Sequence, residues 1–269
     1  LRCHYCGYTS PVPSHCPSCN SAKLLMKGFG TEKIEEELPL FIKDIRVVRM
    51  DLDTTRSKNA YQLLINDFED RKIDVLVGTQ MITKGLDFDN VGLVGVMNAD
   101  NLLNFPDFRA HERSYQLMAQ VSGRAGRKMK RGKVVIQTFN PYHNIIRYVI
   151  DNNFISMYND QILERRNFKY PPFYRLILIT LKHKSPAILN DAASSLAGLL
   201  RKSFAQRILG PEYPVVSMIR GLYLKNILVK LERGNNLPES KAIISKIVKE
   251  TLANKDYRQL KIVLDVDPQ

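Results

Sequence analysis

Residues 120–127 read Gln120-Val121-Ser122-Gly123-Arg124-Ala125-Gly126-Arg127. Two arginines three apart, separated only by small residues, project from a loop or helix end where nothing bulky blocks them. A planar guanidinium forms paired hydrogen bonds to phosphate oxygens that a lysine cannot reproduce. Small neighbours let a backbone come close to a nucleotide. The competing reading, two surface arginines after a helix, leaves the spacing and the glycines without a purpose.

The surroundings of this string set the fold class. Upstream, Arg109–Val121 has a helical pattern; downstream, Lys133–Phe139 reads as a strand. Earlier still come a strand at Ile45–Met50, a helix at Ser57–Glu69 with Leu63, Leu64 and Phe68 on one face, and short apolar strands at Ile73–Val77 and Val91–Met97. Thr31 is placed to N-cap a helix that ends near Pro39. Strands alternating with helices predict an α/β lobe: a parallel sheet with helices on both faces. Ligands in such sheets bind at loops that follow strand carboxyl ends. Residues 120–127 are read as one such loop and Gly78–Phe88 (GTQMITKGLDF) as another. The second mixes a hydroxyl, an amide, glycines and one carboxylate. Such a set suits holding a phosphodiester backbone and coupling it to a second site; an ordinary strand-to-helix loop is the alternative.

The chain has 269 residues, 40 Lys+Arg and 27 Asp+Glu, a net charge of +13. That length allows about two domains. The charge points to an anionic partner, with nucleic acid favoured over membrane, because no basic amphipathic helix with a broad apolar face and no run of about 18 apolar residues occurs. Residues 171–269 carry +8 of it, and Arg124, Arg127, Lys128, Lys130, Arg131 and Lys133 form one acid-free cluster. The chain starts at Leu1 without a Met, which suggests a piece of a longer protein.

All four cysteines fall in the first nineteen residues, as two C-x-x-C pairs: Cys3 with Cys6, and Cys16 with Cys19. Thiolates at that spacing grip one metal ion from a tight turn, and two such turns complete a tetrahedral structural Zn²⁺ site. Two disulfides, the alternative, would need an oxidising compartment. His4 and His15 sit beside these residues as bystanders.

Tyr170-Pro171-Pro172-Phe173 marks a boundary, where the prolines impose extended backbone and stop the preceding helix. Beyond it lie a strand at Arg175–Lys182, a helix at Ala187–Phe204, paired strands at Val215–Arg220 and Leu224–Leu231, a helix at Ser240–Ala253 and a strand at Lys261–Val266. The order β-α-β-β-α-β predicts an α+β, ferredoxin-like domain with one sheet face open. Its charge, with Tyr174, Tyr213 and Tyr223, suits nucleic-acid binding with aromatic stacking; half-buried packing is the competing role for each tyrosine.

The residues now meet a family. The string 120–127 resembles motif VI of superfamily-two helicases, and 78–88 resembles motif V. More narrowly, LRCHYCGYTSPVPSHCPSC, GFGTEKIEEEL, RMDLDTT, GTQMITKGLDFDNVGLVGVMNAD, FPDFRAHERSYQLMAQVSGRAGR and YPPF, with LGPEYPV and DVDP further on, resemble the PriA family of bacterial replication-restart helicases. The resemblance implies a zinc-binding segment at 1–26, the second RecA-like helicase lobe at 27–169 and the family's C-terminal DNA-binding domain at 170–269. It implies that Arg127 is the arginine finger, Arg124 its companion at the γ-phosphate, and Gln120 an aid in placing the nucleotide or the attacking water. Thr79, Gln80, Lys84, Gly85 and Asp87 would line the path between ATP and DNA, with Gly123 and Gly126 leaving room beside the arginines. Implied partners are forked and single-stranded DNA, other primosome proteins and single-strand-binding proteins, in the bacterial cytoplasm and not at a membrane.

The chain departs from the family in two respects. It contains no G-x-x-x-x-G-K-[ST] and no acidic Mg²⁺-binding motif. Those belong to the first lobe, so ATP and Mg²⁺ would bind only with that lobe, and this chain is expected to be inactive alone. The family also places eight cysteines around two interleaved Zn²⁺ ions. Only the last four are present, and those four need not share one metal. A non-catalytic nucleic-acid or replisome-protein binding module is the alternative function, but a passive binder has no reason to carry the 120–127 string.

Overall fold

The structure is a computed structural model that describes residues 11, 13–16, 20–23, 30–51, 58–79, 91–123, 132–234 and 236–268. It divides into two compact units, one of Lys23–Gln161 and one built on Ile162–Gln269. Among the described residues, no helix is long and apolar enough to cross a membrane.

The first unit begins with helix α1 (Thr31–Phe41), strand β1 (Val47–Met50), helix α2 (Lys58–Glu69) and strand β2 (Val75–Gly78). Strands β1 and β2 pair in parallel, from Val47 opposite Val75 to Met50 opposite Gly78. A parallel pair needs a long crossover, and α2 supplies it. Met50 and Ile65 form a small buried cluster with Leu64, Phe68 and Leu76 against them. Helix α1 packs on the same strands, with Arg49 of β1 reaching Glu35 of α1. Thr31 is not the N-cap of α1; Gly30 holds that position without a side-chain bond. The Thr31 hydroxyl instead donates to Asp51 at 3.0 Å, tying the helix to the end of β1.

Next come β3 (Leu93–Val96), the short α3 (Asp100–Leu103), α4 (Ala110–Ser122), β4 (Lys133–Ile136) and α5 (Asn144–Ile150). Strands β3 and β4 also pair in parallel, from Leu93 opposite Lys133 to Val96 opposite Ile136. The described residues therefore show two separate two-stranded parallel pairs, not the single sheet expected. Among the described residues, helices do not cover both faces of the second pair. Val96 and Ile136 pack against the cluster of Tyr115, Met118, Ile145 and Ile146. Leu93 and Val135, on the other face, are 62% and 48% exposed. Side chains alternate along a strand, so Val94, Val96, Val134 and Ile136 share one face and the other carries only Leu93 and Val135 beside Gly95 and Lys133.

Helix α6 (Phe154–Asn167) carries the boundary between the units. It stops before the prolines are reached. The N–H of Tyr170 donates to the Arg165 carbonyl and that of Lys169 to Arg166, with Lys169 at φ 58°. This is a Schellman termination, with lysine where glycine is usual.

The second unit contains β5 (Tyr174–His183), α7 (Pro186–Phe204), β6 (Ile208–Glu212), β7 (Met218–Ile219), β8 (Leu222–Glu232), α8 (Leu237–Ala253) and β9 (Lys261–Val266). The sheet order is β6-β8-β5-β9 with β7 beside β8, and every pairing is antiparallel. Alternate residues Ile177, Ile179 and Leu181 of β5, with Ile227, Val229 and Leu231 of β8, meet Leu189, Leu196 and Leu200 of α7 and Ile244, Ile247 and Val248 of α8. Burying each such side chain contributes about 1.5–3 kcal/mol. Ser185 caps α7 and Pro186 begins it, the arrangement that satisfies orphan N–H groups at a helix start.

The second strand of the expected order lies elsewhere than predicted. Val215–Arg220 contributes only the two-residue β7, and Ile208–Glu212 forms the edge beside β8. Ile208 is buried in the core, and Leu209 pairs with Leu228 before the register shifts. Gly210, at φ 89°, makes this course possible: a Cβ there would sit 2.6 Å from the Asn226 carbonyl oxygen.

Candidate active site

Helix α4 positions the described part of the 120–127 string. Its buried stripe of Ala110, Ser114, Tyr115 and Met118 faces the core, and the Ser114 hydroxyl is satisfied by the Ala110 carbonyl at 2.6 Å. Gln120 is consequently turned to solvent. Gly123 closes the helix, its N–H donating to Ala119 at 3.0 Å. The described part of the string thus ends a helix, as the helical pattern of Arg109–Val121 predicted, and does not follow a strand. That position matters electrostatically. A helix C-terminus carries the negative end of the macrodipole, so an anion here would be held by arginine charge alone. Gly123 itself has φ −66°, and an added Cβ would meet only ordinary contacts at 3.5 and 3.7 Å. Its smallness is not required by the helix.

Thr79 directly follows β2 and is exposed. Gln120 and Gly123 are thus brought within one helical turn, while Thr79 belongs to the other strand pair. Arg124, Gly126 and Arg127 lie outside the described residues, as do Gln80, Lys84, Gly85 and Asp87. Of the four cysteines only Cys16 is described. Its N–H donates to the Ser21 carbonyl at 2.9 Å and its carbonyl accepts from Asn20 at 2.8 Å. Cys3, Cys6 and Cys19 lie outside the described residues. Among the described ones, no group of three His, Cys, Asp or Glu is placed to hold a metal.

Two constellations carried no role in the sequence reading. At the carboxyl end of β1, Arg49 Nε lies 3.3 Å from Asp51 and 3.5 Å from Glu35, and its N–H donates to Glu35 at 3.0 Å. Both strings involved, GFGTEKIEEEL and RMDLDTT, were already visible; only folding sets them side by side. The second is a pair of histidines. Their rings meet edge-on at 5.2 Å between His111 and His143, and His143 Nδ1 accepts the Ile145 N–H that opens α5. Burial, then the neighbouring His111, push the His143 pKa down, against a smaller opposing pull from Asp100. The folded state therefore favours neutral imidazole. Its stabilisation is complete above the ordinary histidine range near about 6.5 and is lost as pH falls through it. Thermal melts should show the first unit weakening as pH falls below about 6.5. His143→Asn, which keeps a capping oxygen but cannot titrate, should weaken less over that range; identical pH profiles would contradict this.

In the second unit, the three tyrosines do not share the open face. Tyr223 packs against the core. Tyr213 is 44% exposed, but its hydroxyl donates to Asn190 of α7 and Lys225 lies 4.7 Å from its ring centre. Tyr174 begins β5 opposite Glu232. Of the three, the register puts only Tyr174 on the open face, with Leu178, Thr180, Lys182, Asn226 and Leu228. At one end of it Lys230 is only 8% exposed. Its ammonium donates to the Phe168 carbonyl at 2.7 Å and sits 3.5 Å from the centre of the Tyr170 ring. Burial and then Lys169 lower its pKa. The YPPF segment is therefore pinned to the sheet by one lysine.

A family model described as the helicase conserved C-terminal domain matches residues 18–129. One described as the primosomal protein N C-terminal domain matches residues 166–269. The replication restart protein PriA of Bacillus subtilis is 40% identical over 270 residues, spanning all of this chain. The chain belongs to the PriA family. Replication restart protein PriA of Synechocystis is 40% identical over 86% of the chain, and that of Haemophilus influenzae is 34% identical over the whole of it. The chain covers 33%, 28% and 36% of these three PriA proteins, about a third of their length. Within this chain, the helicase match takes in β1 to β3 and α4. The primosomal match begins inside α6, close to where the two units divide.

Proposed function

We propose that this chain is the C-terminal part of an ATP-dependent 3′-to-5′ DNA helicase that binds and remodels stalled or forked DNA and begins primosome assembly in replication restart. The observation that carries this reading is the QVSGRAGR string at the end of α4, inside the segment that matches the helicase C-terminal domain. Residues 27–169 form a RecA-like lobe that closes an ATP site supplied by another lobe. Arg127 and Arg124 project toward the γ-phosphate, Gln120 helps place nucleotide or water, and Gly123 and Gly126 leave room for the approach. Thr79, Gln80, Lys84, Gly85 and Asp87 couple that site to DNA. ATP with Mg²⁺ would supply the transferable phosphoryl group.

Residues 170–269 form a ferredoxin-like domain that grips DNA. The sheet order, with the first and third long strands central, and both helices on one face support that assignment, and the +8 charge of 171–269 supports the ligand. The cysteines of residues 1–26 hold a structural Zn²⁺. The spacing of the two C-x-x-C pairs supports this reading. Primosome and single-strand-binding proteins are the expected protein partners, in the bacterial cytoplasm.

The test compares ATP hydrolysis by this chain alone and by the chain joined to its first lobe, each with and without single-stranded DNA. Activity is expected only in the joined protein and only strongly with DNA. A joined protein that binds DNA but does not hydrolyse ATP would favour the passive binding module.

A further inference from the structure

The two ends of the sheet in the second unit differ in how their charges are paired. At the end where β5 begins, cations meet acids: Arg175 pairs with Asp267, and Arg207 lies 3.8 Å from Glu232. The other end is where β5 stops at His183 and β9 starts at Lys261. Tyr223 stands opposite His183, so the turn from β7 into β8, with Arg220, lies at this end too. Lys182, Lys184, Arg220, Arg258 and Lys261 gather here, all exposed except the half-buried Lys182. Among the described residues none of the five has a carboxylate partner. The acids of the neighbourhood do not serve them. Asp256 stands beside Lys255 in the chain, where the two offset each other, and Asp191 accepts the Tyr257 hydroxyl at 2.9 Å.

Two features separate this end from an ordinary solvated surface. The backbone beneath the cations is fixed. His183 is only 6% exposed; its Nε2 donates to the Arg258 carbonyl at 2.9 Å, and its Nδ1 accepts the Ser185 N–H at 2.9 Å. One buried ring thus ties residues 182–185 to residue 258. In addition, Lys182 and Lys261 are direct partners across β5 and β9, and like charges in that position repel. The fold holds that repulsion with no internal carboxylate to relieve it; an external anion relieves it. The aromatic residues of this end offer no free ring, because Tyr223 and Tyr257 both pack on the core.

We propose that this end of the sheet grips the phosphate backbone of DNA through charge alone, without stacking on or reading bases. The inference rests on the reading of residues 170–269 as a DNA-gripping domain and says where, and by what chemistry, the grip is made. Adjacent strands lie about 4.8 Å apart, so cations at the ends of β8, β5 and β9 span roughly 10 Å, room for more than one phosphate. The ligand is any stretch of phosphodiester, single- or double-stranded.

Fluorescence anisotropy of the full chain with a labelled duplex, repeated from about 50 to 200 mM salt, is the test. The triple variant Lys184→Gln, Arg220→Gln, Arg258→Gln should flatten the slope of log affinity against log salt by about 2–3, since each lost phosphate contact removes about 0.9. The control triple Lys202→Gln, Arg207→Gln, Arg233→Gln removes the same net charge toward the opposite end and should flatten it by less than about 1. All six substituted side chains are exposed, so melting temperatures should not move. Lys184→Arg with Arg220→Lys and Arg258→Lys keeps the charge and should keep the slope. Equal flattening by both neutral triples overturns the site while the domain's grip on DNA stands. A parent chain that binds no DNA overturns that grip and the site with it. The factor by which the first triple weakens binding should be the same, within about threefold, on a single strand and on that strand made abasic. A loss confined to the strand that carries bases would show stacking and overturn a charge-only grip.

Discussion

Replacing Arg127 by alanine in the protein that carries both lobes is expected to lower DNA-stimulated ATP hydrolysis by about 10³–10⁵-fold. That corresponds to about 4–7 kcal/mol of transition-state stabilisation. The size follows from the chemistry. A transferring phosphoryl group spreads charge over its equatorial oxygens, and a guanidinium fork meets that charge with paired hydrogen bonds where water is excluded. The helix end offers nothing in compensation, because the carboxyl end of α4 presents carbonyls, not N–H groups, to an anion. ATP affinity should fall far less than turnover, since the interaction matters most in the transition state. Arg127→Lys should not restore the rate, because an ammonium is a point charge without the fork. Measured turnover within about tenfold of the parent would remove Arg127 from the finger role.

The second large effect is on stability. Gly210→Ala should destabilise the second unit by about 2–5 kcal/mol, the sum of a left-handed backbone strain of about 1–2 and an overpacking cost of about 1–3. Two independent features point the same way. The residue has φ 89°, and its Cβ would approach the Asn226 carbonyl oxygen to 2.6 Å, with the Glu212 nitrogen at 3.2 Å. Those atoms are backbone of β8 and of β6 itself, so neither can swing aside as a side-chain end could. For a unit of this size the melting temperature should drop by about 10–20 °C. Gly123→Ala is the matched control, with φ −66° and nearest contacts of 3.5 and 3.7 Å. Its melting temperature should not move. If both glycines tolerate alanine equally in a thermal melt, the course of β6 drawn here is wrong.

Much of the fold was legible in the chain because periodicity is a local property. The helices at 58–69, 110–122, 186–204 and 237–253 lie close to where their apolar stripes put them. The parallel strands appear at the expected places but shorter, since a strand extends only as far as its partner runs alongside. What was missed is the edge strand Ile208–Glu212, which the sequence reading assigned to no element. Its Gly-Pro pair carries the chemistry of a turn, and only the position of β8 shows why a strand passes through it. Of the candidate site, the string 120–127 was found at once and its start at a helix end was legible from the Arg109–Val121 pattern, although it was grouped with loops that follow strands. Arg49, Asp51 and Glu35 were inside recognised strings, but nothing in a one-dimensional pattern says that residue 35 meets residue 49.

By itself the sequence determined the family, the alternation of helix and strand in the first unit, the +13 charge with its concentration in the last hundred residues, and the identity of the residues able to meet a phosphate. Spacing and residue type carry those directly. The tertiary structure alone decided which end of the second unit's sheet pairs its cations with acids and which does not, why Lys230 can be buried beneath Tyr170, that Tyr223 packs inward while Tyr213 remains exposed, and that His143 caps a helix beside a second histidine. Each of these depends on which residues from distant parts of the chain become neighbours. Neighbours set desolvation, hydrogen-bond phase and steric room, and none of those is a property of a residue read alone.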